Sequence, residues 1–212
     1  MEWTEFYRER DYDRIAYLAG EDMPDLLERF FERTRVPDTM LSVGCGPAVT
    51  EFAVAERHPG TTVHGVDVSE DLMADNRALA SEADLDTLTF AVDALPDLDT
   101  DGQYDLVYCV ATLFFVADVD RALGALWDRV APDGHLVVSY PSAGTRRGAL
   151  EMDEQSRAFF SLVVGEENLR TRANVESVLG VETSDFWDAV DAPDEPFVEF
   201  APTVYVQKPE SE

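Results

Sequence analysis

Basic side chains are scarce in this 212-residue chain: 16 lysines and arginines stand against 44 aspartates and glutamates, and Lys208 is the only lysine. A nucleic-acid binder neutralises phosphates with clustered Lys and Arg, so a formal net charge of −28 argues against DNA or RNA as a partner. Cysteine is nearly absent. Cys45 and Cys109 fall in no Cys-x-x-Cys or Cys/His array, so no metal site is expected. No stretch is apolar for the roughly 18 residues that a membrane span needs. The opening "MEWTEFYRERDYDR" is acidic and aromatic, neither a basic-then-apolar signal peptide nor an Arg-rich transit peptide. A cytoplasmic protein with no membrane partner is expected. Internal repeats and low-complexity linkers are missing too.

Hydrophobic residues make up 45% of the chain, enough for a packed globule of one α/β domain. The acids are spread along the whole sequence rather than massed in a tail. Their mutual repulsion opposes a compact state in dilute buffer. In molar salt the screening length falls to about 3 Å and the repulsion largely vanishes. In this respect the composition resembles that of proteins from salt-accumulating halophiles.

Element signals follow in order. Residues 4–19 and 22–35 read as helices, the second started by Asp22 and Pro24 and stopped by Pro37. "TMLSVG" is a short buried strand, and Pro47 opens a helix to about Arg57. "TTVHGVDV", "TLTFAVDAL" and "YDLVYCVATLFFV" carry strands, and "SEDLMADNRALAS" is a Ser-capped helix. Val119, Ala122, Leu123, Leu126, Trp127 and Val130 keep a helical period after Asp118. "APDGHLVVSY" is a turn and a fifth strand. Helices are expected near 148–164 and 172–179, and "FWDAV" and "FVEFAPTVYVQK" as closing strands. Alternating strands and helices over 39–140 imply a parallel sheet with right-handed crossovers. The fold class is α/β: a doubly wound, seven-stranded, mostly parallel Rossmann-like sheet with helices on both faces and an antiparallel C-terminal strand.

In such a sheet, ligands bind beyond the carboxyl ends of the strands. Gly44 and Gly46 follow the first strand, where a missing Cβ allows close backbone approach. Asp67 ends the second, at the spacing from which an acid reaches ribose hydroxyls. Asp93 ends the third. Each signal alone is weak, but the three in order form a pattern. With it, "LSVGCGPAV", "VHGVDVSEDLM", "LTFAVDALPDL", "YDLVYCVATLFFVADVDRAL" and "VAPDGHLVVSY" resemble the successive motifs of the class I S-adenosylmethionine-dependent methyltransferases, small-molecule branch, over about residues 38–140. The resemblance implies S-adenosyl-L-methionine as cofactor. It implies Gly44, Cys45 and Gly46 beside the methionine moiety, Asp67 on the ribose, Val68 on the adenine face, Asp93 and Ala94 at the adenine edge, and Val110 at the methionine end. Three departures stand out. Ser42 replaces the usual strand-end acid, Ala48 replaces a third glycine that serves helix–sheet packing, and Phe114–Phe115 occupies a stretch that often carries polar residues.

The chain is thus expected to be a single methyltransferase domain: an N-terminal helical lid over 1–36, a cofactor core over 38–140, and substrate-side helices and antiparallel strands over 141–212. Tyr7, Tyr12, Phe115 and Tyr140 are candidate substrate contacts. No catalytic base is readable, and methyl transfer needs one only for an acceptor whose proton has a high pKa. Arg146 and Arg147 could grip an anion or pair with nearby carboxylates. Cys45 and Cys109 are either small core fillers or a close pair. The partner is a small molecule, the assembly a monomer or homodimer. Two other functions share parts of the pattern: an NAD(P)-dependent oxidoreductase, against which Val49 breaks the Gly-x-Gly-x-x-Gly spacing, and a degenerate methyltransferase fold kept for binding or regulation. The charge itself makes a prediction: the midpoint of thermal unfolding, followed by circular dichroism, rises from dilute buffer to molar KCl.

Overall fold

In the computed structural model, the described residues are 23–192 and 196–210. The expected helix over 4–19, with Tyr7 and Tyr12, lies outside the described residues. Seven strands form one sheet: β1 (Thr39–Val43), β2 (Thr62–Asp67), β3 (Leu88–Val92), β4 (Tyr104–Cys109), β5 (Val130–Ser139), β6 (Ser184–Asp185) and β7 (Thr203–Gln207). Their order is β3-β2-β1-β4-β5-β7-β6. The first five pair in parallel, and β7 runs antiparallel to both β5 and β6.

Strand alternation sorts the core into two faces. On one face Met40, Val63, Leu106 and Tyr108 meet α1 (Met23–Arg33), α2 (Val49–Arg57) and α3 (Glu70–Glu82). On the other, Leu41, Val66, Val107 and Cys109 meet α4 (Val119–Asp128) and a later helix over Arg172–Leu179. α4 follows from its sequence period: Asp118 caps it by accepting from the Arg121 N–H, and Val119, Ala122, Leu123 and Leu126 are fully buried. At roughly 1.5–3 kcal/mol per large side chain, this stripe holds the helix to the sheet.

The C-terminal third departs from expectation. The helix expected near 148–164 is three short ones, α5 (Ala143–Glu151), α6 (Glu154–Phe159) and α7 (Ser161–Val164). Asp153 restarts the chain by accepting from the Ser156 N–H. α8 (Arg172–Leu179) stands as expected, opened by a Thr171–Asn174 capping box. "FWDAV" is not a strand. Asp185 ends β6 and caps α9 (Phe186–Ala189), whose Trp187 indole donates to the Ala201 carbonyl at 2.9 Å. "PFVEF" is α10 (Pro196–Phe200), and the closing strand is confined to Thr203–Gln207. No helix among the described residues is long and apolar enough to cross a membrane.

A turn of 3-10 helix, Leu113–Phe115, follows β4 and is held by one buried side chain. Asn168 Nδ2 reaches the carbonyls of Leu113, Phe114 and Val116 at 3.3, 3.1 and 3.0 Å. Asn168 is fully buried, so losing it strands these acceptors away from water. Asn168→Ala is expected to lower stability by about 2 kcal/mol in denaturant titration.

Candidate functional site

Strands β1, β2 and β3 run outward in one direction, and β4 returns to the other side of β1. Ligand crevices of open α/β sheets form beyond the carboxyl ends at this reversal. A cavity of about 470 Å³ lies here, reached by the β1–α2 turn, by Asp67 and Val68 after β2, by Asp93 and Leu95 after β3, and by residues 110–116 after β4.

The turn is shaped by backbone that side chains resist. Gly44 and Gly46 have φ of +74° and +53°. The N–H groups of Gly44 and Cys45 both donate to the Val66 carbonyl, at 2.7 and 3.1 Å. A Cβ on Gly44 would sit 2.2 Å from Thr112 Oγ1, so only glycine fits. Ala48 also has positive φ, +59°. The third-glycine position therefore matters here for backbone conformation, and not only for the packing expected of it. A Cβ costs roughly 1–2 kcal/mol in this region. Asn76, buried on α3, donates to the Gly46 carbonyl at 2.9 Å and steadies the turn.

Asp67 is 7% exposed. Its Oδ2 accepts the Gly46 N–H at 3.1 Å and its Oδ1 the Ser69 N–H at 3.0 Å. Burial raises its pKa, opposed by the N–H groups of Ser69, Gly46 and Val68. Three donors leave room on a carboxylate that can accept about four. Asp93 is different. Oδ1 accepts from Ala94 N and Asp99 N at 2.8 and 3.1 Å, and Oδ2 accepts from the N–H and the hydroxyl of Thr100. Burial would raise its pKa, but the bonds from Thr100, Asp99 and Ala94 together hold it below its ordinary range. All four acceptor places fold the 93–100 loop.

A family model described as a methyltransferase domain matches residues 41–136. That match runs from β1 into β5 and spans a little under half of the chain. A trans-aconitate 2-methyltransferase from Streptomyces avermitilis is 35% identical over 132 residues, which cover 61% of this chain and 49% of that protein. The chain thus spans about half the length of this curated relative. Two solved structures share the fold. The CcbJ methyltransferase of Streptomyces caelestis has a TM-score of 0.66 at 14% identity, covering 99% of this chain and 97% of that one. Magnesium protoporphyrin IX methyltransferase from Synechocystis PCC 6803, with bound SAH, has a TM-score of 0.62 at 17% identity, covering 88% and 82%.

The fold brings Gly44, Cys45, Gly46, Asp67, Val68, Asp93, Val110 and Phe115 to one cavity. Ala94 is exposed, does not line it, and spends its N–H on Asp93. Tyr140, expected to face the site, does not. It continues the Leu136, Val138 alternation onto the α4 face, where Arg172, Asp185 and Glu176 are its charged neighbours. Arg146 pairs with Glu166 at 3.0 Å and Arg147 with Glu199 at 2.8 Å, and neither reaches the cavity. Cys45 and Cys109 pack on opposite faces of the sheet, which rules out a bridge. Burial raises the Cys45 thiol pKa and takes that of Cys109 to about 12, so neither is a thiolate nucleophile.

The residue missed in sequence is Glu51. It lines the cavity, is 2% exposed, and accepts a hydrogen bond from the Ser42 hydroxyl. The available signal was positional: residue 51 precedes buried Val54 and Ala55 by three and four, so it points inward. Burial pushes its pKa from 4.5 to about 7, against the Ser42 bond and with the Asp67 charge adding to the rise. The folded state therefore holds a proton that the unfolded state has released between these values. This contribution is fully present below about pH 4.5 and is lost as pH rises through about 7, on the order of 3 kcal/mol in all. Glu51→Gln is expected to remove this falling slope of stability with pH, measured by denaturant unfolding across the range.

Proposed function

We propose that this chain is an S-adenosylmethionine-dependent methyltransferase that transfers a methyl group, in line, to a small apolar acceptor. The observation that carries the reading is Asp67: a buried carboxylate, fixed by the turn it faces, with acceptor capacity left beside a glycine backbone that excludes side chains. This fits a ribose diol next to a chain that must pass close to Gly44 and Gly46. Exposed Val68 offers an apolar surface to the base, and Val110 borders the other end of the cavity. Asp93 acts by positioning the 93–100 loop and Leu95. The neighbour crystallised with SAH supports the same cofactor class.

When bound, the cofactor supplies an electrophilic methyl group on a sulfonium. The protein's task is to align the acceptor and keep water out. Phe114, Phe115, Phe159, Phe160, Phe197 and Phe200 do so at one side of the cavity, with Met152. Phe114, Phe160 and Phe200 pack edge-on or tilted with ring centroids 5.4 to 6.3 Å apart. None of the described lining residues is Lys, Arg or His. A polyanion such as trans-aconitate would find no basic partner among these residues, and the phenylalanine wall favours an apolar acceptor. We assign Met152 to Phe160, with Phe197 and Phe200, to this acceptor side. The acidic composition and two free thiols support a cytoplasmic, high-salt setting.

Calorimetry in molar KCl tests the reading. S-adenosylmethionine and S-adenosylhomocysteine should bind saturably, NAD should not, and Asp67→Ala should weaken both by about tenfold or more. Absence of binding by the intact chain would overturn the proposal. Binding without turnover across a panel of apolar acceptors would favour the non-catalytic alternative.

A further inference from the structure

Among the described residues, Glu51 has no cation to answer it. Ser42 on β1 donates to it, and its own helix supplies one backbone N–H. The groups that face it otherwise are the Cys45 thiol from the turn, the Asp67 carboxylate after β2, and the Tyr108 phenol from β4, which is held by Thr50. None of these brings positive charge. No Lys, Arg or His among the described residues pairs with it, although the chain's surface arginines find carboxylates elsewhere. A carboxylate this buried is costly unless it is neutral or paired. Yet it lines the cavity rather than being sealed in the core.

Register explains how it gets there. Ser42 and Tyr108 are partners on adjacent strands β1 and β4 and share the α2 face of the sheet. α2 leaves the glycine turn directly above them, and Glu51 sits in its first turn. The carboxylate is therefore delivered by the helix to a hydroxyl at the strand end, on the β1–β4 side of the cavity. Asp67, at the end of β2, holds the opposite side of the glycine turn.

Resting on the cofactor reading above, we infer that Glu51, oriented by Ser42, is the counter-ion for the primary ammonium of the bound cofactor's amino-acid end, and that it releases its proton when that ammonium arrives. Binding then couples to pH. At pH values where the free protein holds the proton on Glu51, the ligand must displace it, so affinity rises with pH through neutrality. The proton passes to buffer, and the buried carboxylate gains a partner supplied by the ligand.

Two ligands separate the parts of this claim. S-adenosylhomocysteine carries the ammonium but no sulfonium charge. 5′-Methylthioadenosine keeps the adenosine and thioether and lacks the amino-acid end. Calorimetry in molar KCl, repeated in buffers of different ionisation enthalpy, counts the protons exchanged. Below about pH 7, S-adenosylhomocysteine should release a measurable fraction of a proton from the wild-type chain, and the release should fall toward none as pH rises well above that value. Glu51→Gln should abolish the release and weaken S-adenosylhomocysteine about tenfold or more, leaving 5′-methylthioadenosine unchanged. Should Glu51→Gln fail to fold, Ser42→Ala carries the test: losing a bond that lowers the Glu51 pKa should move proton release to higher pH. Binding of both ligands with no proton release, and no effect of either substitution, overturns the inference and leaves the cofactor reading intact. Failure of both ligands to bind the wild-type chain overturns the two together.

Discussion

The turn between β1 and α2 is the constraint on which the rest of the site depends. Two successive N–H groups, of Gly44 and Cys45, converge on one carbonyl, that of Val66 in β2. This closes β1 against its neighbour just where the chain must reverse into a helix. Thr112, from the far side of β4, fills the space a Cβ of Gly44 would need and donates to the Val43 carbonyl at 3.3 Å. Three strand ends are thereby locked together, two through backbone and the third through the Thr112 hydroxyl. The consequence reaches outward. Asp67 is fixed because Gly46 presents its N–H there, and Glu51 is buried because α2 can leave the turn in only one direction.

Much of this was legible in the sequence, for identifiable reasons. The first five strands are apolar runs bounded by turn residues, and such runs must be covered on both faces. The glycines and Asp67 could be read because their chemistry is tied to position at a strand's carboxyl end. What escaped reading lacked a period. "FWDAV" is apolar at every position but exposed Asp188 because α9 packs Phe186 against Phe30, and a four-residue helix cannot announce itself by spacing. Tyr140 was misplaced for the opposite reason: its strand was evident, but one step of alternation decides which face a side chain takes. Asp93 shows a further limit. Its position matched a ligand contact, while only coordinates reveal that its lone pairs are already committed to the loop.

Glu51 illustrates why acids are hard to interpret in such a chain. With 44 of them, each reads by default as surface. The structure divides them by solvation. Exposed acids such as Asp97, Glu166 and Glu199 meet arginines at the surface, where pairs contribute little and are screened by salt. Asp67 and Glu51 are shielded from that screening, and in both burial drives the pKa upward. The same residue type thus serves two regimes: one tuned by bulk salt, one by what enters the cavity.

That division bears on the acceptor as well. A surface with a formal charge of −28 repels anions before they reach any pocket, while molar salt shortens the reach of that field to a few ångströms. Inside, Glu51, Asp67 and Asp93 line the sheet side, and phenylalanines, with Asp153 among them, line the other. In the proposed reading, the sulfonium and ammonium of the cofactor would meet the buried acids Glu51 and Asp67. In that reading, the acids lining the cavity favour a cationic ligand over an anionic one. No Lys, Arg or His is among the described lining residues, and the phenylalanine wall gives a charged group little to replace the solvation it loses from water.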